Sequence, residues 1–312
     1  MKKSIEQEKI KLPKLCFRVE EKSLLLQVNG GYRRGEEIMK LEEVPHLSRK
    51  KLVKVKIGEN YEPFVRLKPH IDKKGTTHFR MKMLRIGNPI VEALQDHICS
   101  LFQYSSSVEM EINIETCSDK LHNFKNLVHS QIHGRKVKSS LIDHYFLSYP
   151  NHQSAYIGSH ITGEISAKSP LFQIENLVFH RTNFNGSIIL KNFVGRNLVL
   201  YGTKLKTSDI IEFLEKWVNS EAYFNLEGVY IVLNMAEIEP VDVSTRFELV
   251  QYDPLDPSGR PEQFAFDPRV INHGPREINL RDAEYREIRR KSDGKRAFMK
   301  CTSIFFFLFV ES

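Results

Sequence analysis

The stretch that most constrains this chain is residues 197–233, NLVLYGTKLKTSDIIEFLEKWVNSEAYFNLEGVYIVL, which reads as strand, helix, strand. Leu198, Val199 and Leu200 form a short apolar run closed by Gly202, the pattern of a buried strand. Ile210, Ile211, Leu214, Trp217 and Val218 then recur at helical spacing and share one apolar face. Thr207, Ser208 and Asp209 offer oxygen acceptors to the free N–H groups of a first turn. Asp209 with Glu212 fits a capping box, with Asp209 opening the helix. Leu226, Val229, Ile231 and Leu233 carry the next strand, and Trp217 is the large core anchor between them. The unit specifies architecture and carries no reactive machinery.

Similar units recur upstream. Short apolar runs lie at Ala155-Tyr156-Ile157, Leu177-Val178-Phe179, Leu198-Val199-Leu200 and Val229-Tyr230-Ile231, separated by about 20 to 30 residues, the period of leucine-rich solenoid units. One such unit cannot bury its own apolar face, so several must stack. The predicted fold class is α/β: a leucine-rich-repeat-like arc of short parallel strands and helices, without the usual asparagine ladder, followed by a C-terminal β-hairpin. Before the repeats, Pro89 opens a helix over Ile90–Phe102, and Val108, Met110, Ile112 and Ile114 alternate as a strand. A helix is predicted around Leu121–Ile132 and another over Ser139–Leu147.

The last third changes character. Residues 252–276 are rich in Pro, Gly and Asp and read as a loop or insert. Asp293-Gly294 between strand-like runs is a strong hairpin signal, because both central residues of a two-residue turn need positive φ. The apolar run Ile304–Val310 is seven residues long, far short of the ~20 a membrane helix needs. It reads as a final strand covered on both faces.

Charge is concentrated at the start. Residues 1–80 hold 20 Lys and Arg against 11 Asp and Glu, an excess above the net charge of +7 for the whole chain. The lysines alternate with Glu20, Glu21, Glu36, Glu37, Glu42 and Glu43, as on a solvated face, which weighs against a nucleic-acid partner. Leu15, Phe17, Val19 and Leu24, Leu26, Val28 predict two short strands there, and Gly, Pro and Lys interrupt residues 58–77. The charged start and four scattered cysteines predict an intracellular protein, cytoplasmic or nuclear, with neither disulfides nor a membrane anchor.

Several of these motifs stand in a telling order. Ile98-x-x-Leu101-Phe102 precedes Leu198-Val199-Leu200, Leu205-x-Thr207-x-Asp209, Phe213-Leu214-x-x-Trp217-Val218 and Leu226-x-x-Val229. Ile288-x-Arg290-x-Ser292-Asp293-Gly294-Lys295-x-Ala297 closes the series. Together they resemble the F-box-associated type 2 domain of the F-box proteins expanded in nematodes, over about residues 80–310. The resemblance implies a non-enzymatic adaptor: a domain that holds a target protein, joined to an F-box that recruits the Skp–cullin ligase. It divides the chain into a basic region, 1–80, with a degenerate or missing F-box, and an F-box-associated-type α/β domain, 81–312. Leu12-Pro13-Lys14-Leu15 and the tract Leu47–Lys54 are what remains of an F-box. The latter resembles its last helix and makes Leu47, Leu52 and Val53 candidate adaptor contacts. Asp209, Trp217, Asp293 and Gly294 are structural residues of the family motif.

Catalytic chemistry finds little footing. His129 and His133 would stand one turn apart on a helix, but no Glu lies between them as a zinc protease requires. Asp143-His144 lacks a G-x-S-x-G elbow to present a serine, and no phosphate-binding glycine loop occurs. Neither metal nor cofactor is expected. The function predicted is a protein-interaction module with an unknown target, the alternative being a basic nucleic-acid-associated protein acting through the N-terminal region.

Overall fold

Alternation builds the first strands. Leu15, Phe17 and Val19 of β1 (Leu15–Glu20) and Leu24 and Leu26 of β2 (Ser23–Val28) are buried, while Arg18 and Gln27 are half-exposed on the opposite side. The computed structural model describes residues 15–28, 36–49, 52–58, 61–71, 77–102, 108–118, 121–234, 238–256, 259–266 and 277–311. They fall into two compact units, Met1–Gly134 and Arg135–Ser312.

The first unit continues with β3 (Glu36–Glu43), β4 (Val53–Lys54), β5 (Phe64–Ile71), β6 (Thr77–Met83), helix α1 (Asn88–Phe102), β7 (Val108–Asn113), a single turn α2 (Ile114–Cys117) and β8 (Leu127–His133). Its strands run in the order β8-β7-β1-β2-β3-β6-β5-β4, parallel at β8–β7–β1 and β3–β6 and antiparallel elsewhere. Helix α1 carries Pro89 in its first turn as expected. Buried Gln95 fastens it: its amide donates to the Lys125 carbonyl at 2.5 Å and its oxygen accepts the Lys125 N–H at 2.9 Å.

Three expectations are corrected here. Residues 121–132 are no helix but a loop followed by β8, because Ser130 and Ile132 bury on alternate positions and β7 supplies a parallel partner. Leu47, Leu52 and Val53 share no helix: Val53 belongs to β4, opposite Val65, and Leu47 and Leu52 lie in irregular segments. The compact units also divide after Gly134 and not near residue 80, since β3 pairs with β6 and β1 with β7. Leu12–Lys14 lie outside the described residues.

The second unit comprises β9 (Lys136–Lys138), α3 (Ser139–Ser148), β10 (Ser154–Ile157), β11 (His160–Thr162), β12 (Asn176–Asn183), α4 (Gly186–Asn192), β13 (Asn197–Thr203), α5 (Thr207–Val218), β14 (Gly228–Leu233), α6 (Pro240–Arg246), β15 (Val250–Gln251), β16 (Gln263–Ala265), β17 (Glu277–Asn279), β18 (Arg286–Arg289), β19 (Arg296–Cys301) and β20 (Phe305–Val310). The predicted repeats are β10, β12, β13 and β14, side by side and parallel. Strands β20, β19, β18 and β15 then extend the sheet antiparallel. β9 pairs with β11, and β16 with β17, as separate ribbons. An α/β class is therefore present, with parallel and antiparallel strands in both units. An asparagine pair that the sequence pattern concealed joins two repeats: buried Asn197 donates to the Asn176 side chain at 2.9 Å.

The parallel strands bury one side, and the other only in part. Leu177, Phe179, Leu198, Leu200, Val229 and Ile231 alternate on the side where Phe213 of α5 meets Phe306 of β20 edge-on at 5.8 Å. Trp217 is fully buried in that layer, where removing such a side chain from water is worth about 3 kcal/mol. Helix α4 starts so close to β13 that a Cβ on Gly186 would sit 1.8 Å from Thr203 Oγ1. Glycine is required there for space.

Polar contacts fasten the ends of α5. The helix opens at Thr207 and not at Asp209, which occupies its third position and accepts the Lys206 N–H at 2.8 Å. It also accepts the Ser187 hydroxyl of α4 at 2.7 Å. Glu212 takes no part in the cap: it pairs with Lys191 at 3.0 Å and Lys216 at 2.6 Å. At the other end the β18–β19 hairpin supplies donors to free carbonyls: Lys291 N–H donates to Val218 O at 2.8 Å, and Lys291 Nζ reaches Asn219 Oδ1 at 2.9 Å. Within the hairpin only Gly294, at φ +70°, is left-handed, so the turn is longer than the two-residue type expected and closes from Arg290 to Lys295. Buried Arg290 grips Asp293 through two hydrogen bonds, of 3.0 and 2.5 Å, and its guanidinium lies 5.7 Å from the Trp217 ring.

Gly186→Ala should destabilise the protein by about 1–3 kcal/mol through overpacking, and adding Thr203→Ala should restore part of the loss in chemical denaturation. Hydrogen bonds from Arg290 and from the Lys295 N–H hold the Asp293 carboxyl down at about 2. A depressed carboxyl stabilises the fold above its unfolded pKa of about 3.9 and loses that contribution as pH falls through the folded value. The melting temperatures of the parent and Asp293→Asn should thus differ at neutral pH and converge as pH is lowered from about 4 towards 2.

Candidate interaction surface

The side of the second sheet facing away from α5 is built from the alternate residues of the same strands. Tyr156, Val178, Val199, Tyr230 and Phe307 stand opposite one another across β10, β12, β13, β14 and β20, and His180, Tyr201, Val232 and Phe305 form the next row. The rings touch in sequence. Tyr156 lies 5.3 Å from His180, His180 4.4 Å from Tyr201, Tyr201 5.9 Å from Tyr230, and Tyr230 stacks on Phe307 at 4.2 Å. Phe307 continues to Phe309, on which Phe264 of the β16–β17 ribbon stacks at 4.7 Å.

Among the described residues the row is covered at one end only. Phe266, Ile278 and Leu280 of the insert are buried against it, whereas Tyr156, His180, Tyr201 and Tyr230 are half-exposed. A cavity of about 480 Å³ lies beside the ribbon, between Phe264, Phe266, Leu280 and Phe309, with Glu227 and Glu311 on its wall. At the open end two neighbouring strands are bulged: Arg181, at φ +61°, interrupts β12 and Gly202, at φ +63°, interrupts β13. A non-glycine residue in that conformation is strained, and stacked bulges re-aim the chain next to His180 and Tyr201. Burial pushes the Tyr201 phenol up to about 12 and raises Tyr156 and Tyr230 as well. These three phenols therefore stay uncharged at neutral pH: apolar ring faces carrying hydroxyls that can still hydrogen-bond.

None of the candidate site residues singled out in the sequence lies on this face, although Tyr156, Val178, Val199 and Tyr230 belong to the repeated runs. Asp209 and Trp217 lie in α5 and Asp293 and Gly294 in the β18–β19 hairpin, and Leu47, Leu52 and Val53 belong to the other unit. The signal for Tyr156, Tyr201 and Tyr230 was available, because a tyrosine recurs inside or just after three of the four repeated apolar runs.

The reactive pairings do not assemble. His129 and His133 stand four residues apart on a strand, about 13 Å by strand rise, and His133 lies 3.7 Å from Glu111. Asp143 accepts a hydrogen bond directly from Ser169, whose oxygen caps a short turn at Leu171, while His144 is exposed. Among the described residues no group of three His, Cys, Asp or Glu side chains could hold a metal. None of the four cysteines forms a disulfide, and burial pushes Cys301 up to about 11. Among the described residues no helix is long and apolar enough to cross a membrane. No family model, curated protein or solved structure matches the chain.

Burial keeps the Tyr201 phenol neutral, a contribution to stability present in full below its ordinary pKa near 10 and lost as pH rises through about 12. Ultraviolet titration of Tyr201→Phe should match the parent up to pH about 11 and show less tyrosinate above it.

Proposed function

We propose that this chain is a non-enzymatic protein-interaction module whose target docks on the aromatic row of the second unit. The observation that carries the reading is the row itself: rings in contact across five adjacent strands, with Tyr156, His180, Tyr201 and Tyr230 half-exposed. Tyrosines on a rigid sheet offer large contact area at little entropic cost, the composition of interface hot spots. The finer description, a leucine-rich-repeat-like arc, is supported by the parallel neighbours β10, β12, β13 and β14. The resemblance to F-box-associated domains points the same way, towards a receptor subunit that presents a target to a Skp–cullin ligase. Recruitment of that ligase has less support, since Leu47, Leu52 and Val53 share no helix.

The test is quantitative affinity capture with the full chain and with Tyr201→Ala/Tyr230→Ala. Proteins retained by the parent should be lost at least tenfold from the variant while its circular dichroism is unchanged. An identical set of partners on both would overturn the assignment of this face. Co-purification of a Skp-type adaptor with parent and variant alike would support the ligase role; its absence would leave a binding module alone.

A further inference from the structure

The basic N-terminal region is neither a loose arm nor an evenly mixed surface, because β5 and β6 sort its charges onto one side of a sheet. Their register sets Arg66 opposite Lys82, Lys68 opposite Arg80 and His70 opposite His78, three successive pairs on one face. Lys40 of β3 stands opposite Arg80 in turn, so Lys68, Arg80 and Lys40 form a row of three cations across adjacent strands. Of the alternate residues Val65, Met81 and Met83 are buried while Leu67, Ile71 and Phe79 are exposed, and strand alternation puts the cations on the other side. Neither β5 nor β6 contains an acidic residue. Glu42 of β3 stands among these cations, within 3.7 Å of Lys40, 3.9 Å of Arg80 and 3.2 Å of Lys82.

Like charges placed directly opposite each other across a sheet oppose folding. The cation pairing is repeated over two rows, Arg66 with Lys82 and Lys68 with Arg80, a cost that a bound polyanion would remove. Same-side residues recur about every 7 Å along a strand, a spacing suited to successive phosphates of an extended chain. The same face bears Phe64, two residues before Arg66 and 63% exposed, a ring available for stacking. Strand addition by an acidic peptide is disfavoured at this edge: among the described residues β4 pairs only with Phe64 and Val65, and Pro69 interrupts the donors beyond.

We infer that the β5–β6 face binds single-stranded nucleic acid, the cation rows tracking its phosphates and Phe64 stacking on a base. This adds a second partner to the protein, on the first unit, and does not rest on the aromatic row of the second. Such sites combine a basic track with aromatic platforms and bind with strong salt dependence.

The experiment is fluorescence anisotropy of a labelled oligouridylate with the full chain over a salt series, comparing the parent, Arg66→Thr/Lys68→Thr/Arg80→Thr, the milder Lys68→Thr and Phe64→Ala. The triple variant should lose most binding and flatten the log–log salt slope by about 2, at roughly 0.7 per phosphate contact. It should melt at or above the parent, because it removes like-charge pairs. Lys68→Thr should show the same directions to a smaller extent, and Phe64→Ala should weaken binding about tenfold. Parental affinity in the triple variant, or no binding by the parent at low salt, overturns the inference. Displacement by polyglutamate as effective as by unlabelled oligonucleotide, with Phe64→Ala unchanged, overturns the choice of nucleic acid.

Discussion

Strands β12, β13, β14 and β20 of the second unit must be covered on both faces, and most of what surrounds them answers to that demand. On one side Leu198, Leu200, Val229, Ile231, Phe306 and Leu308 lie under the helices, with Phe213 and Trp217 filling the layer. On the other the β16–β17 ribbon brings Phe264 and Phe266 onto Phe309. That ribbon is short. Tyr156, His180, Tyr201 and Tyr230 lie beyond it and are half-exposed, so the same alternation that builds the core also builds an aromatic row. Surface of this kind is expensive to leave in water unless a partner covers it.

Polar groups keep this arrangement in register. Asp209 joins the start of α5 to Ser187 of α4, and the β18–β19 hairpin sets Lys291 on the carbonyl end of α5 and Arg290 beside Trp217. These contacts engage backbone groups that a helix cannot satisfy by itself. They also account for the basic cluster around Arg289 and Arg290. Arg289 and Arg296 pair with Glu287, and Arg290 with Asp293, so most of the charge is committed within the fold. Arg80 and Lys82 of β6 instead share one carboxylate, Glu42, with Lys40.

Some of the fold was legible because its signal is local. The alternation of β7, the apolar runs of β13 and β14, the apolar face of α5, Pro89 in the first turn of α1 and Gly294 in the hairpin follow from short-range rules of side-chain spacing and backbone sterics. The failures share a cause. Phe124, Leu127, Val128 and Ile132 satisfy a helical spacing as well as the edge of a strand, and only pairing with β7 decides between them. Strand β5 was hidden because Arg66, Lys68 and Pro69 are poor strand formers in isolation, and β6 on its flank selects the extended state. The tyrosine row was missed for a related reason: a ring in an apolar run looks the same whether a helix, a ribbon or water faces it.

By itself, then, the amino-acid order determined the repeated strand and helix segments of the second unit, the absence of a contiguous reactive motif and the place of the charge excess, since each depends on neighbours a few residues apart. Tertiary structure alone decided which face of each strand remained open, that Asn176 and Asn197 meet, and that cations oppose cations across β5 and β6. Those outcomes are set by register between segments distant along the chain, and no local spacing encodes which strand will lie beside which.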